Sequence, residues 1–167
     1  DLGEKAEYIL DYIMENPKEN IAIFSTRNEF LNMMKEEIKK EFPNKKIYQL
    51  NKNNSSEIQN IINKKSIKYD IIFLGTIGKS KEGISLVGIN KGFIADQSWV
   101  PSDIEQVMHR LDATTEEEQK FFGEKSFEIL QFRNSIDTIV QKGLDEKESK
   151  TKIINNYKEF IMKRRNE

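Results

Sequence analysis

The sequence predicts an α/β fold: a doubly wound parallel sheet with helices on both faces. Three observations predict it. Short apolar runs, Ile21 to Phe24, Ile47 to Leu50, Ile71 to Leu74 and Gly92 to Asp96, recur along the chain. Each is separated from the next by a segment patterned for a helix or loop. The runs are apolar at nearly every position, as strands buried on both faces must be, and their alternation with helices is the signature of βαβ units.

In chain order, Ala6, Ile9, Leu10, Ile13 and Met14 repeat at helical spacing, and Asn16-Pro17 stops that helix before the first strand. Thr26-Arg27-Asn28-Glu29 reads as a capping box opening a helix through Phe30, Met34 and Ile38. A strand at Ile47 to Leu50 and a helix from Glu57 to Asn63, started by Asn54 or Ser55, lead to the strand at Ile71. After Gly92 to Asp96, Trp99-Val100-Pro101 makes a turn, and Ser102-Asp103-Ile104-Glu105 reads as a second capping box. Ile104, Val107, Met108 and Leu111 then form a core stripe that turns Asp103, Gln106 and Arg110 outward. Thr114 to Lys125 reads as a polar loop, Phe127 to Phe132 as a last strand, and Ile136 to Leu144 as a helix. Ile153, Ile154, Tyr157, Phe160 and Ile161 predict a further helix.

Composition narrows the function. The 167 residues carry 27 Lys and Arg against 28 Asp and Glu, a net charge of −1, so any affinity for nucleic acid comes from a local patch or a partner. The chain has no cysteine, which excludes disulfides and thiolate metal sites. No apolar run approaches the roughly 20 residues that span a bilayer, and the N-terminus does not have the pattern of a secretory signal, so a cytoplasmic location is expected. The single histidine, His109, has no second histidine or carboxylate read at ligand spacing, and no metal site is expected.

Ligands of an open parallel sheet sit at the carboxyl ends of its strands. Ser25, Thr26 and Arg27 follow the first strand, where Thr26 serves either as a plain helix cap or as a contact. Gly75-Thr76-Ile77-Gly78-Lys79-Ser80 ends like a phosphate-binding loop, but G-x-x-x-x-G-K-S needs glycine where Phe73 stands inside a strand, so that reading is rejected. Asp96 orders its loop, and Trp99 is read as a packing residue.

The order Thr76, Gly83-Ile84-Ser85-Leu86, a strand ending in Asp96, Trp99-x-Pro101 and Gln106-x-x-x-Arg110 resembles motifs V and VI of superfamily-two helicases, and among them the Swi/Snf-type DNA translocases. The resemblance runs from about Lys5 to about Val140 and implies a RecA-like second lobe at residues 1–140, followed by a C-terminal helical extension at 141–167. It implies a motor in which ATP with magnesium, held mainly by an absent N-terminal lobe, is closed upon by Gln106 and Arg110. Gly83 would then lie at the lobe interface, and Ser25, Arg27, Thr76 and Lys79 would hold the backbone of a nucleic acid, double-stranded DNA in this family. The isolated lobe is then expected to be inactive. The family pattern Q-x-x-x-R-x-x-R meets Ala113 at its last position. Either Arg110 suffices, or the lobe is weakened, or an arginine has been replaced. A weakened lobe would be a scaffold for nucleic acid or protein. A third reading keeps only the fold, as a small-molecule-binding domain.

Overall fold

A computed structural model of the chain describes residues 2–64, 69–80, 83–95, 100–112, 115–130 and 152–155. Its strands are β1 (Ile21–Ser25), β2 (Lys46–Gln49), β3 (Ile71–Thr76), β4 (Lys91–Ile94), β5 (Ser126–Ile129) and β6 (Lys152–Asn155). Its helices are α1 (Leu2–Glu15), α2 (Asn28–Glu41), α3 (Ser55–Ile62), α4 (Ile77–Ser80), α5 (Pro101–His109) and α6 (Glu116–Phe122). The strands form a 6-stranded sheet in the order β2-β3-β1-β4-β5-β6, parallel at each pairing.

Alternation along β1 divides the core. Ile21 and Ile23 face a layer built by Ala6, Ile9 and Ile13 of α1 and by Phe30, Leu31, Met34 and Ile38 of α2. Ala22 and Phe24 face the opposite layer, built by Ile58 and Ile62 of α3, Ile77 of α4, and Ile104, Val107 and Met108 of α5. Helices therefore cover both faces of the doubly wound sheet, as the sequence predicts. The chain moves outward from β1 on one side and then crosses to β4 on the other, so the switch point lies between β1 and β4.

The amino edge of the sheet is knotted by Asn20. Its Nδ2 donates to the Gly88 carbonyl at 3.0 Å, its Oδ1 accepts the Ile71 amide at 3.0 Å, and its own amide donates to Asn90 Oδ1 at 3.0 Å. One buried side chain thereby fixes the entries to β1, β3 and β4 and satisfies buried backbone groups that would otherwise be costly. Beneath β4 and β5, Lys91 Nζ meets Glu128 Oε2 at 2.6 Å with both side chains buried, and Tyr8 donates its hydroxyl to Glu128 Oε1 at 2.5 Å.

Several local expectations are corrected. The helix starts differ from the predicted capping boxes: α2 starts after Arg27 and α5 after Val100, and neither of these two residues caps with its side chain. At α5 the reason is Pro101, whose fixed φ and missing amide suit the first helical position and move the start upstream of Ser102. The segment read as a loop at Thr114 to Lys125 contains α6, and there Thr115 does cap, accepting the Glu118 amide at 3.1 Å. Ile153 and Ile154 lie in β6, where a helix was expected; paired beside β5, these β-branched residues follow their strand preference over their helical spacing. The predicted helix from Ile136 to Leu144 and residues Tyr157, Phe160 and Ile161 lie outside the described residues.

Candidate functional site

The carboxyl edge gathers the first set of candidates. Ser25 and Thr76 are register partners at the ends of β1 and β3, so the two hydroxyl residues come side by side. Ser25 is buried, and its Oγ accepts the Arg27 amide at 3.0 Å, which holds the turn that leaves Thr26 and Arg27 exposed. Of these three, Arg27 presents the reachable charge, while Ser25 shapes the turn. Thr76 is half-buried, and its Oγ1 accepts the Lys79 amide at 3.4 Å at the start of α4, a use that leaves the hydroxyl proton available for donation. Lys79, Lys52, Ser55, Ser56, Gln59 and Gly83 line a cleft of about 320 Å³. Gly83 has φ +101°, a conformation that a residue with a Cβ rarely adopts, so the glycine sets the path of the chain after α4. Phe73 lies fully buried within β3, and Gly78, Lys79 and Ser80 belong to the single turn of α4, an arrangement that does not form a phosphate-binding loop.

The second set lies on α5. Ile104, Val107, Met108 and Leu111 are fully buried, while Gln106 is exposed and Arg110 is partly exposed, one turn apart. Arg110 caps the helix with φ −66° and ψ −22°, so it keeps the helical register that puts it on the face of Gln106. Beyond it the helix tightens: the amides of Arg110, Leu111 and Asp112 bond to Val107, Met108 and His109, each three residues back. The Arg110 carbonyl accepts the Leu86 amide at 2.7 Å. Leu111 packs over β4 so closely that a Cβ on Gly92 would come within 3.3 Å of its Cδ2 and 2.5 Å of the Phe127 ring.

The end of α5 therefore sits at the entry to β4, and the nucleic-acid candidates sit where β1 and β3 leave the sheet. The two sets are joined through one stretch of chain, because the segment that starts at Thr76 passes through α4, which packs on α5, and ends at the bond from Leu86 to Arg110. Asp96, Trp99 and Ala113 lie outside the described residues.

Sequence reading missed what surrounds His109. Asp112 Oδ2 lies 2.8 Å from its Nδ1, and Glu105 Oε1 lies 3.6 Å from its Nε2. Spacings of three and four residues on a helix were the available signal. Lys125 was also passed over. Its ammonium donates to the Ile89 carbonyl at 2.6 Å and to the Val87 carbonyl, and burial pushes its pKa down to about 8 against the pull of Asp112 and Glu118. Among the described residues no group of three or more His, Asp or Glu side chains is placed to hold a metal, and no helix is long and apolar enough to cross a membrane.

No protein-family profile and no curated protein matches the sequence. Solved structures do. The C-terminal part of the Fun30 ATPase domain is similar with a TM-score of 0.62 at 23% identity, over 87% of this chain and 46% of that one. The helicase domain of Pyrococcus furiosus Hef is similar with a TM-score of 0.55 at 14% identity, over 87% of this chain and 28% of that one. The chain thus spans less than half the length of either structure. Sheet order, helix layers and these likenesses together give the chain a RecA-like α/β fold, the fold it shares with these two ATPase and helicase domains.

Proposed function

We propose that this lobe is the second half of an ATP-driven motor on nucleic acid, double-stranded DNA being the favoured track. The observation that carries the reading is the 2.7 Å hydrogen bond from the Leu86 amide to the Arg110 carbonyl, because it ties the segment begun by Thr76 to the residue that would face nucleotide. A shift of Arg110 on closure would be passed through the packing of α5 on α4 to the carboxyl edge, where Arg27, Thr76 and Lys79 offer two cations and a hydroxyl to a phosphate backbone. Ser25 supports that edge from beneath.

ATP and magnesium would be held mainly by an N-terminal lobe, and the donor set here fits the phosphates better than the metal. Gln106 brings an amide and Arg110 a cation, and neither supplies the carboxylate through which magnesium is usually bound. Arg110 would donate to the terminal phosphate and stabilise the charge that develops there, while Gln106, one turn earlier, would orient the same group. Gly83 would let the backbone approach the facing lobe. Alone, the 167-residue lobe would not turn over ATP.

The test is nucleic-acid-stimulated hydrolysis by the two-lobe motor. Arg110→Ala should lower kcat by about 10³-fold or more, the scale of an arginine finger, with nucleic-acid binding retained. Thr76→Val combined with Lys79→Ala should show the reverse pattern. Unchanged turnover after Arg110→Ala would remove the finger role. A second reading, a weakened lobe acting as a scaffold, is favoured by Ala113 at the last arginine position of the motif. It predicts nucleic-acid or protein binding without measurable turnover, and nucleic-acid-stimulated hydrolysis by the two-lobe motor with Ala113 in place would exclude it.

A further inference from the structure

We propose that His109 and Asp112 form a clasp that positions Arg110, with Lys125 as its anchor. The inference rests on the finger reading of Arg110 and adds residues which that reading leaves without a role.

The two clasp residues bracket Arg110 in sequence, and their side chains meet across it at 2.8 Å. The bond closes over the stretch where α5 changes from bonds four residues back to bonds three residues back, the place where a helix end otherwise frays. Glu105, one turn earlier, lies 3.6 Å from the other ring nitrogen, so the imidazole is held between carboxylates from before and after Arg110. His109 is 40% exposed on its side chain and Asp112 only 12%, so the carboxylate is the inner partner.

On the other side Lys125 donates from its ammonium to the Val87 and Ile89 carbonyls. Those carbonyls belong to the strap that begins with Leu86, and Leu86 bonds to Arg110 itself. Arg110 is thus held on two sides: its carbonyl accepts the Leu86 amide from a strap that Lys125 ties at Val87 and Ile89, and Asp112 meets His109 beside it. With its main chain held from both sides, the direction in which the Arg110 side chain leaves the helix is fixed, which narrows the region its guanidinium can reach. His109 and Asp112 are positioning residues, since they act through Arg110.

Two measurements test the clasp, and only one needs a partner lobe. In the chain as it stands, Asp112→Asn keeps the shape and removes the charge; hydrogen exchange at the Leu86 and Asp112 amides should speed by about 10-fold, with distant amides of β1 unchanged. Unchanged exchange at both amides would overturn the clasp. In the two-lobe motor, His109→Ala and Asp112→Ala should lower kcat by about 10- to 100-fold, the scale of a misplacement of about 1 Å, with the KM for ATP little changed. The reciprocal swap His109→Asp with Asp112→His restores the pair and should recover most of the loss. In an Arg110→Ala background the same substitutions should cost nothing further. An additional loss in that background, or no recovery in the swap, would overturn the positioning role while leaving the finger intact. Full turnover in Arg110→Ala itself would end both readings.

Discussion

Gly88→Ala should be among the most damaging single-methyl additions in the described core, and its cost follows from the contacts. A Cβ built on Gly88 would lie 1.9 Å from the carbonyl oxygen of Ile62 and 2.9 Å from its carbonyl carbon, so the obstruction is backbone. Relief to roughly 3.3 Å, close to an ordinary non-bonded contact, requires the two segments to part by about 1.4 Å. Gly88 is not free to move, because its carbonyl accepts Asn20 Nδ2 at 3.0 Å and its amide donates to Asn63 Oδ1 at 3.2 Å. The separation breaks both bonds, and each buried group left unsatisfied costs about 1–3 kcal/mol, for a total near 4 kcal/mol. That is a large fraction of the stability of a domain this size. Urea unfolding followed by far-UV circular dichroism measures it. A loss below about 1 kcal/mol would refute the reasoning and mean that the loop relaxes without breaking the Asn20 knot.

Other perturbations separate the remaining contributions. Asn20→Ala should cost about 2–4 kcal/mol by urea unfolding, since it strands the Ile71 amide and the Gly88 carbonyl together. Glu128→Ala leaves the buried Lys91 ammonium without its carboxylate and should cost about 3–5 kcal/mol, whereas replacing both partners by apolar residues of similar volume should cost much less in the same assay. Lys125 gives a pH dependence whose sign is fixed by the lowering of its pKa from 10.5 to about 8 on folding. Between those values the unfolded chain holds the proton more tightly than the folded one, so stability should rise with pH through that window by up to about 3 kcal/mol. Below about 8 the burial penalty is present in full. Lys125→Met should abolish the rise between pH 7.5 and 10, and an equal rise in wild type and variant would contradict the assignment.

The sheet was legible because its strands are buried on both faces and read as unbroken apolar runs; Ile71 to Leu74 is the plainest case. The stripe of α5 was legible for the same reason, and it carried Gln106 and Arg110 to the outer face. Helix starts were less so. Thr26 with Glu29 and Ser102 with Glu105 have the spacing of a capping box, yet the helices start after Arg27 and Val100, while Thr115 with Glu118 has the same spacing and does cap. Spacing alone does not say whether the preceding backbone is extended, and at α5 Pro101 decided the matter from one residue upstream. Ile153 and Ile154 fit a helical pattern and a strand equally well; the open edge of β5 selects the strand. In the candidate site, the two sets of residues were visible, but the bond from Leu86 to Arg110 that couples them was not, since it joins main-chain atoms whose meeting depends on how α5 packs on β4.

The central claim is that Arg110 reaches across to nucleotide held by a facing lobe. A structure of the two-lobe motor with a nucleotide transition-state analogue measures this directly, as the separation between the Arg110 guanidinium and the oxygens of the transferred group. The account predicts about 2.7–2.9 Å, the length of a charge-assisted hydrogen bond. A guanidinium turned back into its own lobe, with the analogue fully bound and the lobes closed, would contradict it.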